Sequence, residues 1–145
     1  MIPRLVATVF GIFLPVVFLG CATMSDVIAD KEAGEGTTVV YSVATDKGWQ
    51  IATKVLRWEG AETIEEHKDG HYMLTTIGAD LISAGSVVGV WVEAGGKGKS
   101  KVTVITKRKM ATNIATGLTE TTFHDRFQQA VDIVKSGKAL PREAP

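Results

Sequence analysis

Two runs of residues, 87–93 (VVGVWVE) and 101–107 (KVTVITK), decide the fold class of this chain. The alternating positions are Val88, Val90 and Val92 in the first run and Val102, Val104 and Thr106 in the second. A period of two is that of a β-strand, because successive side chains of a strand point to opposite faces. The glycine-rich residues 95–98 between the runs are typical of a hairpin loop. The sequence therefore predicts two antiparallel strands joined by a hairpin.

A second predicted hairpin precedes this one in the chain. Residues 61–67 and 71–77 have the composition of strands, and Asp69-Gly70 between them is a strong short-range hairpin signal. Further upstream, residues 37–43 (TTVVYSV) form a β-branched and aromatic run of strand length. The pattern of residues 78–85 favours neither helix nor strand.

Two segments carry the three- and four-residue spacing of amphipathic helices. The first begins at Thr45 or Asp46, either of which can cap it, and ends at Gly60. The last begins at Thr119 or Thr121 and ends at residues 136–137. Their apolar faces consist of Trp49, Ala52, Val55 and Leu56 in the first helix and of Phe123, Phe127, Ala130, Val131 and Val134 in the last.

The predicted order is β-α-β-β-β-β-α. It implies an α+β domain in which an antiparallel sheet of about four to five strands has two helices packed on one face. We expect this single domain to span residues 37–136, to include a connection at 110–118, and to fold without its flanks. Residues 21–36 are small, polar and glycine-bearing, which predicts a flexible tether. Residues 137–145 contain prolines and are expected to be a disordered tail.

Residues 1–20 have the pattern of a signal peptide. Arg4 is followed by the uncharged apolar residues 5–19 and then by Gly20-Cys21. The apolar stretch is shorter than the roughly 20 residues of a membrane-spanning helix, and Pro15 interrupts it. The alternative, an uncleaved membrane anchor, is therefore disfavoured.

Residues 18–21 (FLGC) resemble the lipobox of bacterial lipoproteins, in which the cysteine becomes the lipidated first residue of the mature protein. Gly20 and Cys21 match this motif, whereas Phe18 and Leu19 depart from it. The resemblance implies acyl chains, palmitate among them, on Cys21, which hold a protein on a membrane without crossing it. Cys21 is the single cysteine of the chain and has no internal disulfide partner; the alternative is a buried or incidental thiol.

The same resemblance implies a place in the cell envelope. Ala22 stands where an aspartate would resemble an inner-membrane retention signal of Gram-negative lipoproteins. If the source is Gram-negative, the expected location is therefore the periplasmic face of the outer membrane.

Charge excludes some partners. The 16 Lys+Arg residues balance the 16 Asp+Glu residues, so no global field favours nucleic acid. The cations at 97–109 also lack the interleaved aromatic residues on which single-stranded nucleic acid stacks. The charges are nevertheless separated, because the predicted hairpin at residues 61–77 is acidic. Its acidic residues are Glu62, Glu65, Glu66 and Asp69.

The domain as a whole resembles a known group of proteins. Gly48-Trp49 at a helix start, a Gly60 turn, Asp69-Gly70, two valine-rich strands and a closing helix resemble small uncharacterised bacterial lipoproteins with a helix-grip domain. The pattern is similar in outline to the domains of the lipoprotein C subunit of the outer-membrane barrel-assembly machinery. The resemblance covers residues 37–136 and implies an accessory or interaction module with an envelope protein as partner, without catalytic residues or cofactors.

One histidine pair has part of the spacing of a metal site. His67 and His71 are four residues apart, as in zinc-binding helices, but Lys68 stands where the glutamate base belongs. The turn at Asp69-Gly70 also removes the helical spacing. Across a hairpin the two rings would still approach each other, with Glu65 or Asp69 as a third ligand. Solvated histidines beside a turn are the favoured interpretation.

Three further patterns are incomplete as catalytic motifs. Gly98-Lys99-Ser100 lacks the upstream glycine and the following helix of a phosphate-binding loop. Ser86 lacks the glycines of a nucleophile elbow. His124 and Asp125 are adjacent on a helix, and adjacent helical residues do not face each other. We therefore expect no catalytic, cofactor or metal site.

The sequence thus predicts a non-enzymatic binding or assembly module. Trp58 lies off the apolar face of its helix and is a candidate interface anchor. Lys107, Arg108 and Lys109 are a second candidate surface, for anionic lipid head groups or an acidic partner; the alternative is a solvated edge that discourages aggregation. The alternative functions are a small hydrolase or metal-dependent enzyme, and a lipid or small-ligand carrier that uses the groove between sheet and helices.

Overall fold

The computed structural model describes residues 22–79, 84–109 and 118–145. Within these residues, the chain forms an α+β domain with a five-stranded antiparallel sheet and three helices. From the first strand onward, the element order is the predicted one, and the predicted α+β class is confirmed. The helices are α1 (Met24–Glu32), α2 (Thr45–Trp58) and α3 (Glu120–Lys135), and the strands are β1 (Thr37–Tyr41), β2 (Ile64–His67), β3 (Tyr72–Ala79), β4 (Ala84–Ala94) and β5 (Ser100–Arg108).

The predicted valine-rich hairpin forms the middle of the sheet. The spatial order is β1-β5-β4-β3-β2, with β1 and β2 at the edges. Residue pairs between β4 and β5 run from Ala94↔Ser100 beside the hairpin to Ser86↔Arg108 at the far end. Ile77 of β3 pairs with Ser86 as well. The end of β3, the start of β4 and the end of β5 therefore share one end of the sheet, which we call the base.

The other predicted hairpin differs in its turn. β2 is shorter than the predicted strand at 61–67, and a 3-10 turn at Lys68–Gly70 connects it to β3. His71 completes the turn with a left-handed backbone, at a φ of 57°. A two-residue Asp-Gly loop is therefore not formed, because the reversal is spread over more residues.

Helices α2 and α3 pack on one face of the sheet, as predicted. Their largest buried side chains meet the valines of β4, and burial of each large apolar side chain contributes about 1.5–3 kcal/mol. The centre of this cluster consists of Ile51, Val55 and Leu56 of α2, Phe123 and Phe127 of α3, and Val88, Val90 and Val92 of β4.

Helix α1 covers the opposite face of the sheet, and this corrects one prediction. The segment at 21–36 is not a flexible tether throughout, because residues 24–32 are helical. Helix α1 is additional to the two helices that the sequence predicts. Val27 of α1 is fully buried. It packs in a second apolar cluster with Leu74, Val87, Trp91 and Ile105 of the sheet.

The local sequence explains why so short a segment becomes helical. The side chain of Thr23 accepts a hydrogen bond from the backbone N–H of Asp26, and the Asp26 carboxylate accepts one from the backbone N–H of Thr23 at 2.6 Å. This capping box satisfies two of the amides that a helix start leaves free. A nine-residue helix is still marginal in water, so α1 depends on its contacts with the sheet.

The C-terminal residues lie along the domain, so the predicted disordered tail is also corrected. Leu140 packs against the cluster between the sheet and the helices. The indole N–H of Trp58 donates to the carbonyl of Pro141 at 3.2 Å. Nη1 of Arg126 donates to the carbonyl of Pro145 at 2.7 Å. Helix α3 ends before Ser136 and Gly137, and the proline-containing chain that follows still packs on the domain.

The predicted signal peptide and Cys21 lie outside the described residues, as do residues 80–83 and most of the predicted connection, 110–117. What the sequence predicts for them stays a prediction. In the part of the chain that the structure describes, no helix is long and apolar enough to span a membrane.

Gly89 of β4 is a point of close approach between α1 and the sheet. A Cβ at this position would lie 2.5 Å from Cγ1 of Val27 and 2.7 Å from the ring of Trp91. Gly89→Ala is therefore expected to lower the free energy of unfolding by about 1–3 kcal/mol through overpacking, as measured by urea denaturation. The double variant Val27→Ala/Gly89→Ala should show a favourable coupling energy between the two sites. Unchanged stability of Gly89→Ala would contradict the packing of α1 on β4.

Ser100 of β5 carries a buried hydroxyl that has no hydrogen-bond partner among the described residues. Its Oγ lies against Gly48 in the first turn of α2, 2.8 Å from where a Cβ of that glycine would be. Because an unsatisfied buried polar group costs about 1–3 kcal/mol, Ser100→Ala is expected to raise the unfolding free energy. Thr75→Val is the matched control, since the Thr75 hydroxyl donates to the carbonyl of Thr63 at 2.6 Å. The control should lose stability; a loss in Ser100→Ala of the same size would refute the expectation.

Candidate interaction groove

The chain enters the described structure at the base of the sheet. The backbone N–H of Ala22 donates to the carbonyl of Lys109 at 3.2 Å, directly after β5. The N–H of Lys109 donates in turn to the carbonyl of Gly85 at 3.0 Å. Cys21, the predicted lipid attachment site, is bonded covalently to Ala22. The predicted attachment site is therefore the immediate neighbour of a residue that belongs to the fold.

The basic stretch at the end of β5 serves partly to hold α1. Nζ of Lys107 lies 2.7 Å from the carboxylate of Asp30 in α1. The hydrogen bond to Asp30 raises the pKa of Lys107 above its ordinary value. Arg108 is exposed and Lys109 is half-buried. Of the three predicted contact residues, Lys107 thus has a structural role within the domain.

A second set of ionic contacts holds the same C-terminal end of α1, through the adjacent residue Lys31. Oε2 of Glu93 in β4 lies 3.4 Å from Nζ of Lys31 and 3.3 Å from Nζ of Lys101. Partial burial alone would raise the pKa of Glu93, but the hydrogen bonds and positive charges of Lys101 and Lys31 outweigh it and hold that pKa below its ordinary value. Nζ of Lys31 also lies 5.7 Å from the ring centroid of Trp91, within the range of a cation–π contact.

Trp58, the predicted interface anchor, is half-buried. It packs against the cluster between the sheet and α2 and α3, and the C-terminal residues contact its indole N–H. Lys107 contacts α1, which lies on the opposite face. The structure therefore does not combine Trp58 and the basic stretch into one surface.

The structure gives His67 and His71 different surroundings. His67 stacks on Tyr72 with ring centroids 4.5 Å apart, and its Nε2 lies 2.5 Å from the Glu65 carboxylate. His71 is exposed and lines a groove with Trp49 of α2. Across the described ranges, no group of three or more histidine, cysteine, aspartate or glutamate residues is placed to hold a metal ion.

His124 has a structural contact that sequence reasoning missed. Its Nδ1 lies 2.7 Å from the hydroxyl of Tyr41, and its Nε2 lies 2.9 Å from the carbonyl of Thr37. Burial, followed by the negative charge of Asp125, raises the pKa of Tyr41, so the phenol stays protonated as a donor. These bonds join α3 to β1. The sequence signal for this contact was that His124 lies on a helix face beside Phe123 and Phe127. A polar ring buried there needs a hydrogen-bond partner.

The remaining candidates have the surroundings expected of structural residues. Ser86 is buried in β4. The N–H of Lys99 donates to the carbonyl of Gly96 at 3.1 Å inside the hairpin loop, and Ser100 begins β5. A strand therefore follows this loop, as the sequence predicted.

A groove opens at the base of the sheet, on the face that carries α1. It has a volume of about 340 Å³. Met24 of α1 and Leu74 of β3 supply its apolar surface, whereas Glu62 and Glu65 supply carboxylates. The rest of the lining consists of Gly60, Thr63, Thr76 and Gly78. We call this site the basal groove; sequence analysis noted its acidic residues but could not place Met24 beside them.

A second groove, of about 390 Å³, lies at the other end of the sheet. The first turn of α2 forms one wall with Asp46 and Trp49, and Lys68 and His71 form another. Asp46 and Lys68 give this groove both signs of charge. The basal groove has one sign only, and it is the groove that lies near Ala22, so it is the stronger candidate for function.

Comparisons with known proteins place this chain in no family. No family model and no curated protein matches it. Among solved structures, the crystal structure of an uncharacterised protein from Bacillus thuringiensis aligns with 70% of this chain and 88% of its own, at 10% sequence identity and a TM-score of 0.32. A TM-score this low supports no argument about fold or function.

The ionic contacts of Glu93 make the docking of α1 dependent on pH. Because the folded pKa lies below the ordinary value of 4.5, Glu93 stabilises the fold above that pH, and the contribution is lost as pH falls through the lowered folded value. Glu93→Gln is expected to lose about 0.2–1 kcal/mol at neutral pH, since solvent screens a carboxylate of this exposure. The same variant should show a shallower loss of stability below about pH 5.

Urea denaturation at a series of pH values measures this difference. Asp125→Asn is the control, because Asp125 is exposed on α3. An acid limb of identical slope in Glu93→Gln and in the parent protein would contradict the assigned role.

Proposed function

We propose that the protein is a lipoprotein whose domain acts as a non-enzymatic binding or assembly module at a membrane surface. Acyl chains on Cys21 form the anchor, and the domain binds an envelope protein. The lipobox-like residues 18–21 and the position of the single cysteine support the anchor. If the source is Gram-negative, the module works at the periplasmic face of the outer membrane.

The observation that carries this proposal is the hydrogen bond between Ala22 and Lys109. It joins the residue after Cys21 to the base of the sheet, at the end where the basal groove opens. An anchored domain would then present this groove next to the membrane. Contact requires only a stable scaffold and a suitable patch, and both faces of the sheet are covered by helices that rigidify it.

A small hydrolase or metal-dependent enzyme is the less favoured function. Catalysis needs an activated nucleophile or a metal-held water beside an oriented base. His67 is instead paired with Glu65 and Tyr72. His71 is exposed at a turn, and His124 is bonded to Tyr41. A carrier that uses the space between the sheet and the helices is also less favoured, because Leu56, Phe123 and Phe127 fill that space.

Replacement of Cys21 tests the anchor. Cys21→Ala is expected to release the protein from membranes, because α1 is packed on the sheet by its apolar side and offers no second membrane anchor. Fractionation of cells labelled with a radioactive fatty acid measures both attachment and acylation. Ser25→Ala, at an exposed position of α1, is the control and should retain both. Label that persists in Cys21→Ala would refute the lipoprotein assignment.

A further inference from the structure

We propose that the basal groove binds a lysine or arginine side chain from an extended basic segment of another protein. This proposal deepens the proposed function, because it gives the chemistry of the partner and the place where it binds. The argument uses the shape of the groove, its charge, its neighbouring strand edge and its position in the fold.

The shape suits one long side chain. A groove of about 340 Å³ has room for a side chain with part of its backbone. The sulfur-bearing side chain of Met24 and the side chain of Leu74 form an apolar floor. Gly60 and Gly78 keep the walls open, since a Cβ at either position would meet no atom within 4 Å. The methylene stem of lysine or arginine buries well on such a surface while its charged end reaches polar groups.

The negative charge of the groove favours binding of a cation. Glu62 and Glu65 line it, and none of the residues that line it is basic. Nε2 of His67 contacts Oε1 of Glu65, and the carbonyl of Glu62 accepts a hydrogen bond from Arg57. No ion pair is found for the Glu62 carboxylate within the described ranges. A cation placed between two carboxylates is held by charge-assisted hydrogen bonds, which are stronger than neutral ones.

The strand beside the groove selects an extended partner. β2 is an edge strand that pairs with β3, and Glu65 belongs to it. An edge strand presents unpaired backbone groups to which an extended segment adds by hydrogen bonding. Since alternate side chains of an added strand point to the same face, every second residue of the segment faces the side of the sheet on which the groove opens.

The position of the groove argues against a second copy of this chain as the occupant. Two exposed lysines, Lys97 and Lys99, lie in the irregular β4–β5 hairpin loop. That loop is at the opposite end of the sheet from the base. Two domains anchored at their bases on one membrane cannot bring the loop of one to the groove of the other without inverting one of them. The hairpin loop of a second copy is therefore not the occupant, and we assign the groove to a different protein.

Binding of a labelled peptide tests the proposal. The protein is extracted from membranes as the full mature chain in an uncharged detergent, and fluorescence anisotropy follows a peptide of alternating lysine and threonine. A peptide with glutamate in place of lysine is the second probe. The lysine peptide should bind and the glutamate peptide should not. The double variant Glu62→Gln/Glu65→Gln should weaken binding about tenfold, and added salt should weaken it further.

Two further variants separate charge from shape. Thr76→Phe fills the groove without changing its charge and should also weaken binding, whereas Asp125→Asn removes an exposed carboxylate on α3 and should not. Circular dichroism confirms that each variant is folded. Absence of binding by the lysine peptide, or equal losses in Asp125→Asn and in the glutamate double variant, would overturn the proposal. Cys21→Ala should bind as well as the parent, so a failed anchor and a failed groove give different results.

Discussion

The rest of the structure depends on the need to cover both faces of one central strand. β4 places Val88, Val90 and Val92 on one face and Val87 and Trp91 on the other, and all of them are buried. A single layer of helices leaves one of these two sets of side chains in water, at a cost of about 25 cal/mol for each Å² of exposed apolar surface. The chain meets this constraint with α2 and α3 on one side and α1 on the other. Helix α1 is therefore part of the domain core, although it precedes the first strand.

This constraint also explains how far the sequence could predict the fold. The alternation of valines, the two amphipathic helices and their order were sufficient for the α+β class and for the sequence of elements from β1 to α3. The run VVGVWV also indicates burial of both faces of the strand, because an almost continuous apolar strand is typical of such burial. That pattern indicated a second layer, and Met24, Val27 and Ile28, spaced as on one helix face after a Thr23 cap, were the available signal for it.

The candidate site was less predictable for a physical reason. The basal groove combines Met24 of α1 with Leu74 of β3 and with two glutamates around β2. Residues this far apart in sequence meet only through the docking of α1. Neither the spacing of residues nor the composition of the sequence could therefore predict the site. The basic stretch shows the converse. Its residues are adjacent in sequence and suggest one surface, yet Lys107 has an aspartate of α1 as partner. Charge patterns in a sequence describe which residues are ionised, and the fold decides which of them pair.

The docking of α1 has a consequence for the order in which the domain assembles. The first helix is synthesised before every strand, but its binding surface consists of residues from β3, β4 and β5. The contact between Lys31 and Glu93 spans 62 positions of the chain, and that between Lys107 and Asp30 spans 77. Loop-closure entropy must be overcome before such non-local contacts contribute any stability. Helix α1 is thus expected to dock late in folding, after the strands that form its binding surface have paired.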